Sequence, residues 1–358
     1  MLYLTLAICF FASILLTPLV KKLAFKIGAT DKPNHRKVHS RIMPRLGGLA
    51  IFISFIIGTF IIRPSDEPFF GVYHLPIIIG SIIIILTGML DDVKEISPKL
   101  KLAGQVVAAA VIVVYGDLKV EFINLPFGGQ IDFGYLSIPL TMIWIIGITN
   151  AINLIDGLDG LAGGVSSIAL FSIAGMSMVM GNQYVTIMAL IVAASTVGFL
   201  FYNFHPAKIF MGDTGALFLG YIIAVLSLLG YKNVAFISLI IPIIVLGVPI
   251  SDTFFAIIRR LVNKQPLSAP DKSHLHHCLL KAGFSHRQTV LLIYAMAAVF
   301  GLVAFIFSQA TVWGSLIVIL ALLITIELFV EKIGLVREDY QPLLKFMKGL
   351  KPINLKNR

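Results

Sequence analysis

Four clusters of polar residues interrupt an otherwise apolar chain, and each has the makings of ion, proton or phosphate chemistry. In N-A-I-N-L-I-D-G-L-D-G-L-A, residues 150–162, Asn150, Asn153, Asp156 and Asp159 recur at every third position. On a continuing helix that spacing forms one slowly drifting polar stripe. An Asp at the centre of a bilayer costs roughly 2.5–3.5 kcal/mol on insertion scales, and less near the interface. A chain that keeps two such acids uses them on a cation, a proton or a polar substrate. Hydrogen bonding between membrane helices is the structural alternative, and it suits the two asparagines better than the acids.

The other clusters carry complementary groups. Asp91-Asp92 points two carboxylates in different directions on a helix, so the pair cannot chelate one ion symmetrically. One acid can face a metal or phosphate while the other takes a proton or orients a lysine; a plain helix-end acidic pair is the alternative. Lys94, Lys99 and Lys101 follow closely, as a site for several phosphates would need. Gly212-Asp213-Thr214-Gly215 offers a carboxylate for Mg²⁺ and a helix N-terminus for phosphate, or simply an N-cap. Phe210 can stack on a base or anchor at the interface. His274, His276 and His277 lack the carboxylate or cysteine pattern of a closed zinc site. Phosphate binding together with Lys272, Arg259 and Arg260 is the chemical reading, a solvated basic loop the bland one. Asp252, in the same apolar stretch as the arginines, pairs with a neighbouring base or lines the site.

The elements that position these groups are membrane helices. Of 358 residues, 58% are hydrophobic and 13% charged, with mean hydropathy +0.95, which excludes a soluble domain. Apolar stretches of about 16–24 residues fall near 2–20, 46–62, 75–90, 100–115, 137–153, 164–181, 185–204, 215–230, 234–258, 289–307 and 312–330. The expected fold is thus all-α and polytopic, with eleven spans. Residues 1–330 form one transmembrane catalytic domain and 331–358 a basic tail. The first span reads as a retained helix, since no small-residue cleavage site follows it. Cys9 and Cys278 define neither a disulfide framework nor a metal site. Segment 116–136, with Pro126 and Gly128-Gly129, suggests a small outer hairpin.

Alternate connections hold 25 of the 28 basic residues; Arg63, Lys119 and Lys232 are the exceptions. The positive-inside rule makes the rich side cytoplasmic, with the N-terminus outside and the C-terminus inside. The basic excess therefore reflects topology and the lipid bilayer, not nucleic acid. All four polar clusters then fall on the cytoplasmic face, while the outer acids are scattered. One composite cytoplasmic site is expected.

Five ordered pieces resemble a known superfamily: P-R-L-G-G (44–48), L-D-D (90–92), N-x-x-D-G-L-D-G-L-A (153–162), N-F-H-P-A-K-I-F-M-G-D-T-G (203–215) and S-H-L-H-H (273–277). These resemble the polyprenyl-phosphate N-acetylhexosamine-1-phosphate transferases, which include the phospho-N-acetylmuramoyl-pentapeptide transferases. H-L-H-H is similar to the N-acetylglucosamine branch, and to its teichoic-acid-initiating members in particular; the muramoyl branch carries three consecutive histidines.

The resemblance implies a plasma-membrane enzyme that moves N-acetylglucosamine-1-phosphate from UDP-N-acetylglucosamine to undecaprenyl phosphate, releasing UMP. Another UDP-N-acetylhexosamine, or UDP-N-acetylmuramoyl-pentapeptide, would serve the same chemistry. Mg²⁺ is the implied cofactor, with Mn²⁺ as a substitute, and a homodimer is compatible with the family. By the same resemblance Asp213 holds Mg²⁺ with Asp92 or Asp156, and Asp91 or Asp92 binds or deprotonates the lipid phosphate. Asn203, Phe210 and Asp156 contact uridine, and His274, His276 and His277 the diphosphate or sugar, with Asn150, Asn153, Asp159, Arg259 and Arg260 as further substrate contacts.

Two rivals predict other patterns. A cation-coupled transporter places its acids near the bilayer midplane and often shows repeat symmetry. A CDP-alcohol phosphotransferase continues D-x-x-D-G with Ala-Arg, where this chain has Ala162-Gly163-Gly164.

Overall fold

Long apolar runs fold as helices because a backbone in hydrocarbon must satisfy its own N–H and C=O groups. The computed structural model describes residues 1–31, 42–62, 68–124, 128–231, 240–266, 273–335 and 341–349. In chain order the helices are α1 (Leu2–Ile27), α2 (Gly48–Ile61), α3 (Pro68–Lys94), α4 (Pro98–Val114), α5 (Ser137–Ile155), α6 (Leu161–Val179) and α7 (Gln183–Asn203). They continue as α8 (Gly212–Tyr231), α9 (Ile240–Val245), α10 (Gly247–Val262), α11 (Leu275–Lys281), α12 (His286–Gln309), α13 (Val312–Ile333) and α14 (Pro342–Gly349). Among the described residues there are also two short antiparallel ribbons. One pairs β1 (Thr30–Asp31) with β2 (Met43–Pro44), the other β3 (Phe122–Asn124) with β4 (Gln130–Asp132). The second is the hairpin expected in 116–136; its Pro126 lies outside the described residues.

Among the described residues, eight helices are long and apolar enough to cross a membrane: α1, α3, α5, α6, α7, α8, α12 and α13. The chain is a mostly helical, polytopic membrane protein. Helix α2 is apolar but shorter, and α4 starts with Lys99 and Lys101 in its first turn. The ninth expected span, 234–258, begins outside the described residues and then divides into α9 and α10 at Leu246. Helix α10 is two-sided, burying Asp252, Arg259 and Arg260 along with Phe255 and Ala256.

Local signals set several helix ends. Ser97 accepts the Leu100 N–H just before Pro98, and Ser285 with Gln288 forms a capping box on α12. Glu331 of α13 accepts the Leu343 and Leu344 N–H groups, tying α14 to α13.

Helix α8 is the axis of the bundle. Every residue from Thr214 to Gly230 is buried, and α8 packs on α2, α3, α5, α6 and α7. Gly88 of α3 permits one of the close approaches, since a Cβ there would run into the Thr214 backbone. One turn beyond Gly88, α3 reaches Asp91 and Asp92. That crossing carries the acidic pair to the first turn of α8, where Asp213 lies.

Candidate active site

The polar stripe does not continue as a helix. Helix α5 ends at Ile155, residues 156–160 turn, and Gly160 takes a φ of 77° before α6 begins at Leu161. The four residues therefore face different partners. Asn150 donates to Gln105 Oε1 of α4 (2.6 Å) and to the Ile146 carbonyl (2.8 Å), so it fastens α5 to α4, away from the site. Asn153 donates to Asp213 Oδ1 at 3.0 Å. Asp159 Oδ2 accepts the Ala207 N–H (3.0 Å) and lies 2.8 Å from His205 Nδ1. Asp156 faces a depression of about 700 Å³, within the usual range for a ligand pocket.

Asp213 is the hub of that depression. Besides Asn153, it contacts the Lys101 ammonium, which also lies 2.9 Å from Asp91 Oδ2. The neighbouring acids of α3 diverge, as adjacent helical positions must. Asp91 shares Lys101 with Asp213 and stands just outside the lining of the depression. Asp92 is buried, and its oxygens accept the Asp213 and Thr214 N–H groups (both 3.0 Å) and the Thr214 hydroxyl (2.6 Å). Its carboxylate thus caps the N-terminus of α8 from another helix, supplying partners to otherwise orphaned donors. Arg45 Nε stands 3.7 Å from Asp92 Oδ1, adding a positive charge.

Asp156 lies at the base of the turn. Burial, reinforced by the charges of Asp213, Asp92 and Asp159, pushes its pKa up to about 8. His276 and His277 line the same depression. The His276 ring lies against Gly157, where a Cβ would overlap it. Burial, then the neighbouring His277, drives the His276 pKa down to about 3, so the ring is neutral at physiological pH. His274 stands behind, its ring parallel to that of His276 at 6.2 Å. Asp252 fixes it: Oδ2 lies 2.9 Å from His274 Nδ1, while Oδ1 accepts the Leu275 N–H.

Other expected contacts hold the frame. Asn203 accepts the Gly160 N–H and donates to the Ile209 carbonyl, joining the two loops that flank the depression. Phe210 lines the depression, with its N–H on the Pro44 carbonyl. Arg259 donates to the Leu335 carbonyl at 2.6 Å; Arg260 is buried nearby, and neither lines the depression. Among the residues singled out from sequence, the structure gathers Asp92, Asn153, Asp156, Asp159, Asn203, Phe210, Asp213, His276 and His277 around one space, with Asp91 at its edge.

Arg45, His205 and His286 also line it, and none was picked out individually. Arg45 and His205 lie inside matched motifs, so a residue-by-residue reading of those motifs would have found them. His286 has no sequence signal at all. The oxygen donors of Asp213, Asp156 and Asn153 are hard ligands of the kind Mg²⁺ takes, whereas the Asp92 carboxylate is already engaged.

Comparison with known proteins gives this arrangement its relatives. A probable undecaprenyl-phosphate N-acetylglucosaminyl 1-phosphate transferase of Bacillus subtilis (strain 168) is 51% identical over 339 residues, covering 94% of this chain and 93% of the relative. A decaprenyl-phosphate N-acetylglucosaminephosphotransferase of Mycolicibacterium smegmatis is 33% identical, over 89% of this chain and 84% of its own length. An undecaprenyl-phosphate alpha-N-acetylglucosaminyl 1-phosphate transferase of Salmonella typhi is 30% identical, over 78% and 77%. Residues 74–231, which run from α3 through α8 and contain Asp91, Asp92, Asn153, Asp156 and Asp213, match glycosyl transferase family 4. With the family's matched region spanning the acidic hub and its relatives aligned along most of the chain, the protein belongs to glycosyl transferase family 4.

Proposed function

We propose that this protein transfers N-acetylglucosamine-1-phosphate from UDP-N-acetylglucosamine to undecaprenyl phosphate, releasing UMP, as a first membrane step toward a cell-wall polymer such as teichoic acid. The observation that carries this reading is the Asp91–Lys101–Asp213–Asn153 chain, where a polar depression meets a bilayer-facing edge. Leu90, Val93, Leu100 and Leu102, the sequence neighbours of Asp91 and Lys101, are exposed apolar side chains, as a route for a polyprenyl tail requires. The depression itself offers polar walls and Phe210 for a nucleotide.

In the proposed reaction an oxygen of the lipid phosphate bonds to the sugar-bearing phosphorus of UDP-N-acetylglucosamine. The bond from that phosphorus to the oxygen of UMP breaks. Two anions must approach, so positive charge at the junction is the main requirement. Lys101 supplies one such charge between Asp91 and Asp213. Mg²⁺, when bound, would supply more by neutralising the diphosphate, with Asp213, Asp156 and Asn153 as its protein ligands. Asp91 is the better candidate than Asp92 for orienting or deprotonating the lipid phosphate, because Asp92 is committed to the α8 backbone. Neutral His276 can donate a hydrogen bond to the diphosphate or sugar without adding charge, and His277 stands beside it on the same lining.

The expected eleven spans, an outside N-terminus and a cytoplasmic site in the plasma membrane belong to the same proposal. Its support is the basic-residue asymmetry and the placement of the acids at one end of α3, α5 and α8.

Incubating membranes with radiolabelled UDP-N-acetylglucosamine, Mg²⁺ and undecaprenyl phosphate tests the reading. Label should enter an organic-extractable lipid and return on adding UMP. Asp213→Asn should abolish this while the protein remains membrane-inserted. Label crossing the membrane unchanged would point to transport instead.

A further inference from the structure

We propose that Asp159, His205 and His286 form a second metal site at the rim of the depression, of the class that takes Zn²⁺. The three come from separate parts of the chain: the turn after α5, the loop after α7 and the first residue of α12. One ligand atom from each lies within 4.8 Å of the other two. The two imidazoles stack with centroids 4.1 Å apart and planes 24° apart. Donor atoms around a tetrahedral zinc, with bonds of about 2.0–2.1 Å, stand roughly 3.3 Å from one another. The donors must close by about an ångström, and the stacked rings must also turn, because a metal lies in the plane of each imidazole that binds it.

The surroundings add a second observation. Nε2 of His286 is buried without a hydrogen-bond partner among the described residues. A buried ring nitrogen left without a partner is costly, and a metal ion would satisfy it. The loops that carry the trio are already fastened: Ala207 N–H donates to Asp159 Oδ2, and Arg287 Nη2 donates to the His205 carbonyl at 3.2 Å. His205 remains partly exposed, so an ion can enter from water.

Two imidazoles and one carboxylate suit a borderline cation and leave a fourth position open toward the depression. The oxygen donors around Asp213 suit a hard cation instead. The two sets therefore select different metals side by side, and an ion at the rim would compete with any ligand that needs Asp159.

The test uses the full-length detergent-purified protein, stripped of metals and held in saturating Mg²⁺. Zn²⁺ is titrated against a chromogenic chelator, and Co²⁺ serves as a visible stand-in. One Zn²⁺ per chain is expected, retained in Asp213→Asn. His205→Asn and His286→Asn should each weaken it by on the order of tenfold or more, and both should bleach the Co²⁺ absorption. These residues lie on different loops, so if one variant fails to fold the other decides. No Zn²⁺ uptake by the wild type, or wild-type affinity in a folded histidine variant, overturns the proposal. Loss of Zn²⁺ in Asp213→Asn would also do so, by placing the ion at the acidic hub.

Discussion

Asp91 and Asp92 are adjacent in sequence, yet one holds Lys101 and the other holds a helix terminus. Their substitutions should therefore fail in different ways. Asp92→Ala leaves buried N–H groups of α8 without acceptors, a loss of about 1–3 kcal/mol, and should lower the melting temperature. Asp91→Asn should keep that temperature while abolishing lipid transfer. Matching melting curves for the two variants would remove Asp92 from its capping role. The acid Asp156 makes a second prediction. Its folded pKa of about 8 lies above an ordinary value near 4, so the folded chain holds a proton there that the unfolded chain has lost. Stability from this group accordingly falls as pH rises from about 4 to about 8. A divalent cation competes with that proton, so apparent Mg²⁺ affinity should rise with pH and level off above about 8. Asp156→Asn should flatten the dependence in a Mg²⁺ titration repeated across that range. His276 runs the other way: its folded pKa of about 3 lies below the ordinary value near 6.5, so stability is lost progressively as pH falls from about 6.5 to about 3.

At the scale of elements, the α3–α8 crossing is the joint on which the acidic hub depends. Gly88→Leu should force these helices apart, lowering both melting temperature and transfer, whereas Ile82→Leu, at an exposed position of the same helix, should change neither; unaltered behaviour of Gly88→Leu would show that the crossing is slack. Much of this level was legible in the chain. The length of each apolar run located the helices, because a bilayer demands that length. The end of α5 was legible as well, since the fifth apolar span, 137–153, stops two residues short of Ile155. The third-residue spacing of Asn150 to Asp159 nonetheless imitates a helix face, and which partner each of the four meets depends on the packing around the turn. The ninth span was read as one helix although Pro242 and Pro249 lie inside it, and it divides between them at Leu246. The motif singled out Asp213, and Asp213 lines the depression. Its contact with Lys101 depends on how α4 lies against α3, which no local pattern encodes. The pairing of His286 with Asp159 is of the same kind, since the two meet only when α12 docks beside α6.

For the whole molecule, the decisive question is which end of the bundle faces the cytoplasm. Cysteine labelling in intact cells answers it cleanly, because Cys9 and Cys278 are both buried. Tyr135→Cys, at a site 99% exposed, should react with a membrane-impermeant reagent. Lys281→Cys should react only after the cells are opened. The reverse pattern would invert the assigned topology. The enclosure of α8 has a consequence for how such a protein comes to be active. A helix with no lipid-facing stripe cannot take its place by partitioning into the bilayer alone; its neighbours must be there to receive it. Asp213 sits in the first turn of that helix. A chain still being inserted therefore carries every recognition motif up to that point yet has no working centre, and a nucleotide-sugar meeting it would leave unchanged. Competence therefore waits on the packing of α8, and turnover counts only molecules whose core is assembled.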